Sequence, residues 1–87
     1  MTQPLISLYM SDWCPYCLRA KGLLTQKNLV FSEINVDDDA KFREEMIARS
    51  SRRTVPQIFI GDKHVGGCDE LFELDRSGEL DRLIQGA

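Results

Sequence analysis

The stretch Leu5-Ile6-Ser7-Leu8-Tyr9-Met10-Ser11-Asp12-Trp13-Cys14-Pro15-Tyr16-Cys17 decides how the rest of this chain is read, because its period changes partway along. Ile6, Leu8 and Met10 are apolar at alternate positions, and the segment is largely apolar between them. A strand covered on both faces has that pattern, so this one is expected inside a sheet with helices around it. Ser11 and Asp12 break the run. From Cys14 to about Lys27 the repeat lengthens, and Cys17, Ala20, Leu23 and Leu24 fall on one helical face. Proline loses no needed hydrogen bond in a first helical turn, so Pro15 suits the position just after an N-cap at Cys14.

Working outward, Asn28 offers a stop to that helix, and Val30 to Val36 returns to alternation with Val30, Ile34 and Val36 together. Strand, helix, strand predicts a right-handed parallel crossover. Asp37-Asp38-Asp39 reads as a set of carboxylates capping the next helix and opposing its dipole. That helix is expected to reach about Ser50 and to bury Phe42, Met46 and Ile47. Val55 to Ile60 and Lys63 to Gly66 flank Gly61-Asp62, a hairpin signal in which glycine supplies the positive φ. Leu71, Phe72 and Leu74 make Cys68 to Ser77 helical, Gly78 is a C-terminal cap, and Leu80, Leu83 and Ile84 form a last short helix. The order β-α-β-α-β-β-α-α predicts an α/β fold with a four-stranded mixed sheet flanked by helices.

At 87 residues the chain is expected to make one domain spanning 1–87, with no room for a second module. Its 43% hydrophobic and 29% charged residues match a folded globular protein rather than a disordered one. A net charge of −3 makes nucleic acid a poor partner, and no apolar run approaches the roughly 20 residues that cross a bilayer. Met1 to Met10 contains no basic region of the kind that opens a secretory signal, so a reducing, cytoplasmic setting is expected. There, three cysteines are too few for a disulfide framework and point to redox or metal chemistry.

Placement decides between the two. A Cys14 at a helix N-cap faces unpaired amides and the positive end of the dipole, which favour thiolate over thiol. Cys17 lies nearly one turn further in and is expected to be more buried and less ionised. That asymmetry makes Cys14 the attacking sulfur and Cys17 the one that resolves the mixed disulfide. A zinc site completed by His64 and Cys68 is the competing reading, although structural zinc prefers cysteine pairs on short loops to one inside an amphipathic helix. Two merely structural cysteines are a third.

With Tyr9, Cys14-Pro15-Tyr16-Cys17, Thr54-Val55-Pro56-Gln57-Ile58-Phe59-Ile60 and Gly66-Gly67-Cys68-Asp69 in this order, the chain resembles the dithiol glutaredoxins over essentially its whole length. The resemblance implies a thioredoxin fold and glutathione-dependent reduction of protein disulfides and glutathionylated proteins. It implies glutathione as co-substrate with no tightly bound cofactor or metal. Glutathione reductase and NADPH then act indirectly, and the protein works as a monomer.

The same resemblance carries a glutathione site onto this sequence. Pro56 matches a cis-proline that leaves the backbone of Val55 free to pair with a bound peptide beside Cys14. Tyr16 and Thr54 join it as contacts. Gly67 and Cys68 offer backbone at a helix N-terminus to the γ-glutamyl carboxylate, while Asp69 accepts from the α-ammonium. Arg43, on the second helix, matches a position that reaches the glycyl carboxylate, and Arg53 directly precedes Thr54. They belong to a basic cluster with Arg49 and Arg52, which a solvated helix face also explains. Two positions depart from the pattern: Ser11 stands where the family commonly has lysine, and Trp13 is more like thioredoxin. Two other functions stay open at this point: an iron–sulfur carrier ligated by Cys14 and glutathione, and, suggested by Trp13, a thioredoxin-like reductant fed by a flavoenzyme.

Overall fold

Alternation along β1 (Ile6–Met10) sends Ile6 and Leu8 to one face of the sheet and Tyr9 to the other, and all three are fully buried. A strand loaded on both faces needs cover on both, and the computed structural model, which describes residues 3–85, shows it in the interior of a four-stranded sheet. The sheet order is β2 (Ser32–Asn35), β1, β3 (Gln57–Ile60), β4 (Lys63–Gly66). β1 pairs parallel with β2 and antiparallel with β3, which turns back into β4 through Gly61 at φ +59°. On one face Ile6, Leu8, Ile58 and Ile60 meet Leu23 and Leu24 of α1 (Pro15–Gln26), Leu71 of α3 (Cys68–Ser77) and Leu80 of α4 (Glu79–Gln85). On the other, Tyr9, Val36 and Phe59 meet Met46 of α2 (Ala40–Ser50). Each buried Leu or Ile contributes about 1.5–3 kcal/mol relative to exposure, so this small core stands on a dozen or so side chains. The predicted element order and sheet type are those observed.

Three expectations about packing are corrected. Val30 is not a strand residue but 79% exposed, and β2 begins two residues later. Its amide and carbonyl are both taken by the Gln3 side chain, at 2.9 and 2.6 Å, in place of a sheet neighbour. Phe42 and Phe72 stay more than one-third exposed, because α2 and α3 bury narrow stripes, Met46 with Ser50 and Cys68 with Leu71. The aspartate trio divides its work: Asp39 caps α2 by accepting from the Lys41 amide at 2.9 Å, whereas Asp37 faces elsewhere.

The register fixes where chemistry can occur. Tyr9, near the end of β1, pairs with Gln57 at the start of β3, and Gly66, ending β4, pairs with Ile58. The loops at 11–14, 54–56 and 66–68 therefore meet at one edge of the sheet.

Candidate active site

Cys14 is the N-cap of α1, with extended backbone at φ −90° and ψ 113°. Its Sγ accepts the Cys17 amide hydrogen at 3.2 Å, while its own amide donates to the Ser11 carbonyl at 3.3 Å. Pro15 follows with no amide to leave unpaired, as its place in the first turn predicts. Sulfur at this position receives one of the donors that a helix start leaves over. As a thiol, Cys14 donates toward the Val55 carbonyl at 3.7 Å. Cys14, Cys17 and Cys68 are all unbridged.

The asymmetry expected of the pair is present, but not as a difference in burial. Cys14 is 3% exposed and Cys17 2%. They differ in what surrounds them. Burial, a hydrogen bond with Cys14 and the Cys14 charge push the Cys17 thiol up to about 12, offset in part by a backbone hydrogen bond from Ser11. Burial and the Asp69 charge likewise push the Cys68 thiol up, which leaves it as a neutral wall.

Tyr16, Val55, Pro56, Cys68, Asp69 and Glu70 line a groove of about 170 Å³. The Val55–Pro56 peptide is cis, as the resemblance implies. Gln57, buried at 1% exposure, anchors this loop by donating to the Thr54 carbonyl at 3.0 Å, and its amide oxygen meets His64 Nε2 at 2.7 Å. His64 is therefore engaged in holding the loop. Among the described residues no group of three or more His, Cys, Asp or Glu is placed to hold a metal ion. The opposite wall is the start of α3. Gly66 adopts φ +119°, and a Cβ there would stand 2.6 Å from Glu70 Oε1; at Gly67 a Cβ would come within 3.3 Å of the Pro56 carbonyl. Gly66 thus suits glycine by its positive φ and its closeness to the Glu70 side chain, and Gly67 lets α3 start close against the Pro56 loop.

Glu70 was not among the residues singled out from sequence. Its carboxylate accepts the Gly67 amide at 2.6 Å and pairs with Arg52 at 3.2 Å. The Gly67 bond, and then Arg52, hold its carboxyl below the usual carboxylate range. One of the amides expected to meet the γ-glutamyl carboxylate is thus already occupied. The spacing Gly67-x-x-Glu70, an acid three residues after an N-cap, is a capping signature that could have found it.

The basic cluster separates into different jobs. Arg49, itself exposed, lies 4.0 Å above the Phe59 ring and donates to the Tyr9 hydroxyl at 2.9 Å, so it covers that side of the core from outside. Arg52 belongs to Glu70. Arg43 meets Asp37 at 3.0 Å, and the Ser11 hydroxyl donates to the same carboxylate. Arg53 and Thr54 are exposed next to the groove loop. Structure thus gathers Cys14, Cys17, Tyr16, Val55, Pro56, Cys68 and Asp69, with Gly67 behind them. It connects Arg43 to them only through Asp37 and Ser11. A wider cavity of about 490 Å³, lined by Ile60, Asp62, Lys63 and Arg82, lies at the other end of β3 from the thiols and contains no cysteine.

A family model described as glutaredoxin matches residues 6–65. The chain is 52% identical over 80 residues to glutaredoxin 3 of Escherichia coli K12, covering 92% of this chain and 96% of that one. The solution structure of a glutaredoxin from Brucella melitensis superposes with a TM-score of 0.84 at 45% identity, over 100% of this chain and 96% of the other. The crystal structure of a buckwheat glutaredoxin–glutathione complex gives 0.85 at 31% identity, over 97% and 78%. With its thioredoxin fold and its Cys14-Pro15-Tyr16-Cys17 helix start, this chain belongs to the glutaredoxins, the glutathione-dependent thiol–disulfide oxidoreductases.

Proposed function

We propose that Cys14 carries the reaction and that Cys17 completes it. The Cys14 thiolate attacks one sulfur of a substrate disulfide; that S–S bond breaks, a mixed disulfide forms, and the other sulfur leaves as thiolate. Cys17 then loses its proton and attacks Cys14 Sγ, which frees the second substrate sulfur and leaves a Cys14–Cys17 disulfide. Two glutathiones restore the dithiol and depart as glutathione disulfide. On a glutathionylated substrate, Cys14 takes the glutathione moiety and a second glutathione releases it without Cys17.

The observation that carries this reading is the hydrogen bond from the Cys17 amide to Cys14 Sγ at the mouth of α1. It also times the second step. Two of the influences that raise the Cys17 thiol, the hydrogen bond with Cys14 and the Cys14 charge, depend on a free Cys14. Both end when Cys14 enters a mixed disulfide, so Cys17 becomes easier to ionise at the moment it must attack.

The groove fits glutathione as an added short strand. Val55 presents its backbone, Tyr16 and Pro56 line the groove with it, and the exposed Thr54 precedes it in the same loop. The Cys68 and Asp69 amides at the start of α3 take the γ-glutamyl carboxylate, and the Asp69 side chain takes the ammonium. Arg43 and Arg53 take the glycyl end. Protein disulfides and glutathionylated proteins are then the substrates of a monomer in the reducing cytoplasm, with glutathione reductase and NADPH supplying electrons through glutathione.

A glutathione-coupled disulfide reduction assay tests this. Cys14→Ser loses all activity, whereas Cys17→Ser keeps reduction of a glutathione mixed disulfide and loses that of protein disulfides. If Cys17→Ser is as inactive as Cys14→Ser toward a glutathionylated substrate, the roles are wrongly assigned.

A further inference from the structure

The loop that leads into Cys14 contains no basic residue from Ser11 to Cys17, yet the Ser11 hydroxyl is buried at 1% exposure and aimed at a carboxylate. That carboxylate is Asp37, in the turn between β2 and α2, whose own amide is fixed by the Asn35 side chain at 2.9 Å. Its two oxygens are divided. Oδ2 accepts from Ser11, and Oδ1 accepts from Arg43 Nη2 at 3.0 Å. Ser11 in turn accepts the Cys14 amide hydrogen on its carbonyl. The Ser11 hydroxyl, Arg43 and, more weakly, the Trp13 indole N–H hold the Asp37 carboxyl below the usual carboxylate range, so it stays charged at neutral pH.

We propose that Asp37 is a positioning residue: by holding Ser11 with one oxygen and Arg43 with the other, it presents a cation to the Cys14 loop and sets the preference for glutathione-containing disulfides. This deepens the functional reading above and rests on it, since Arg43 is there assigned to the glycyl carboxylate. As an isolated ion pair, Asp37–Arg43 contributes little to stability, because both side chains are about 40% exposed or more. Its worth is directional. Arginine has five N–H donors in a rigid fork, and fixing one nitrogen on Asp37 aims the others while leaving them free for a second carboxylate. An untethered Arg43 keeps its charge but spreads it over many rotamers.

The test uses the reduced protein and two disulfides in stopped-flow mixing, followed by the fluorescence of Trp13, the single tryptophan and the neighbour of Cys14. Glutathione disulfide carries the carboxylates; bis(2-hydroxyethyl) disulfide has none. The quantity read is the ratio of the two second-order rate constants. Asp37→Asn, which preserves shape and an acceptor for Ser11, lowers that ratio about fivefold, as befits one exposed charged contact. Arg43→Ala lowers it as much, the double variant lowers it no further, and Asp37→Glu keeps most of it. An unchanged or increased ratio in Asp37→Asn overturns the proposal, and so does a double variant whose loss is the product of the two single losses. A wild-type protein without preference for glutathione disulfide overturns the functional reading itself, a distinct result from a wild-type preference that ignores Asp37. Asp37 is exposed, and coincident thermal unfolding of wild type and Asp37→Asn confirms that both are folded.

Discussion

Selective alkylation at neutral pH gives the sharpest test of how the two thiols divide their work. An ordinary cysteine, with a pKa of about 8.5, is roughly 3% thiolate at pH 7. Cys17, pushed up to about 12 by burial and by Cys14, has on the order of 10⁻⁵ of its population ionised there. Since only the thiolate reacts, Cys17 should be alkylated on the order of 10³-fold more slowly than a free thiol, before its 2% exposure slows access further. The reduced protein is treated with iodoacetamide at pH 7, quenched at intervals and mapped by peptide mass. One equivalent is taken up at Cys14 while Cys17 and Cys68 stay unmodified. Cys17 in a Cys14→Ser variant, freed of the Cys14 charge, reacts faster than Cys17 in wild type, though still slowly because burial persists. Equal labelling of Cys14 and Cys17 in wild type at pH 7 would refute the reasoning, and so would a Cys14→Ser variant in which Cys17 becomes less reactive.

Three further outcomes follow from packing and protonation. Leu71→Ala, at a fully buried position joining α3 to the sheet, costs about 2–5 kcal/mol in urea unfolding; a loss under 1 kcal/mol means the site collapses without a cavity. Gly66→Ala forces a side chain into φ +119° and against Glu70, so it costs about 1–3 kcal/mol and slows reaction with glutathione disulfide together with it; wild-type values for both count against the glycine argument. Burial first, then Arg52, hold His64 below its usual range, so the unfolded chain binds this proton more readily. Stability from that source is present above the unfolded value of about 6.5 and declines as pH falls through 6.5 toward the lower folded value. His64→Gln should remove that part of the decline in pH-dependent unfolding, and an unaltered profile would show that His64 contributes nothing to it.

Most of the fold was legible because its signals are local and mutually consistent. The Ile6-Leu8-Met10 alternation, the switch of period at Cys14-Pro15 and Gly61 in the hairpin each specify one element, and their order specifies the sheet. Val30 failed for an equally physical reason. Alternation records side-chain chemistry, whereas strand membership requires a backbone partner, and Gln3, 27 residues away, takes that place. The Cys14–Cys17 pair was legible in position and in its asymmetry but not in the cause of that asymmetry. Helix position predicted the asymmetry, yet both sulfurs are equally hidden, and Cys17 is raised by its burial and then by its hydrogen bond with Cys14.

What remained hidden shares one origin. Asp37 and Glu70 stand where acids ordinarily serve the start of their own helix, and that local rule holds for Asp39 and for Glu70 on the Gly67 amide. Their second bonds run across loops, from Asp37 to Ser11 and from Glu70 to Arg52. No window along the chain contains such pairs, so the four arginines read as one positive patch beside an anionic ligand. Arg43 is paired with Asp37 and Arg52 with Glu70, while the exposed Arg49 is engaged with the Phe59 ring and the Tyr9 hydroxyl, so the cluster leaves less uncompensated charge than its number suggests. Recognition of a small anionic peptide must then come from aimed donors at short range rather than from a field. Salt screens interactions between exposed charges beyond about 8–10 Å but leaves contacts at hydrogen-bond distance largely intact. In the proposed site, a protein of net charge −3 would thereby hold an anion without being basic.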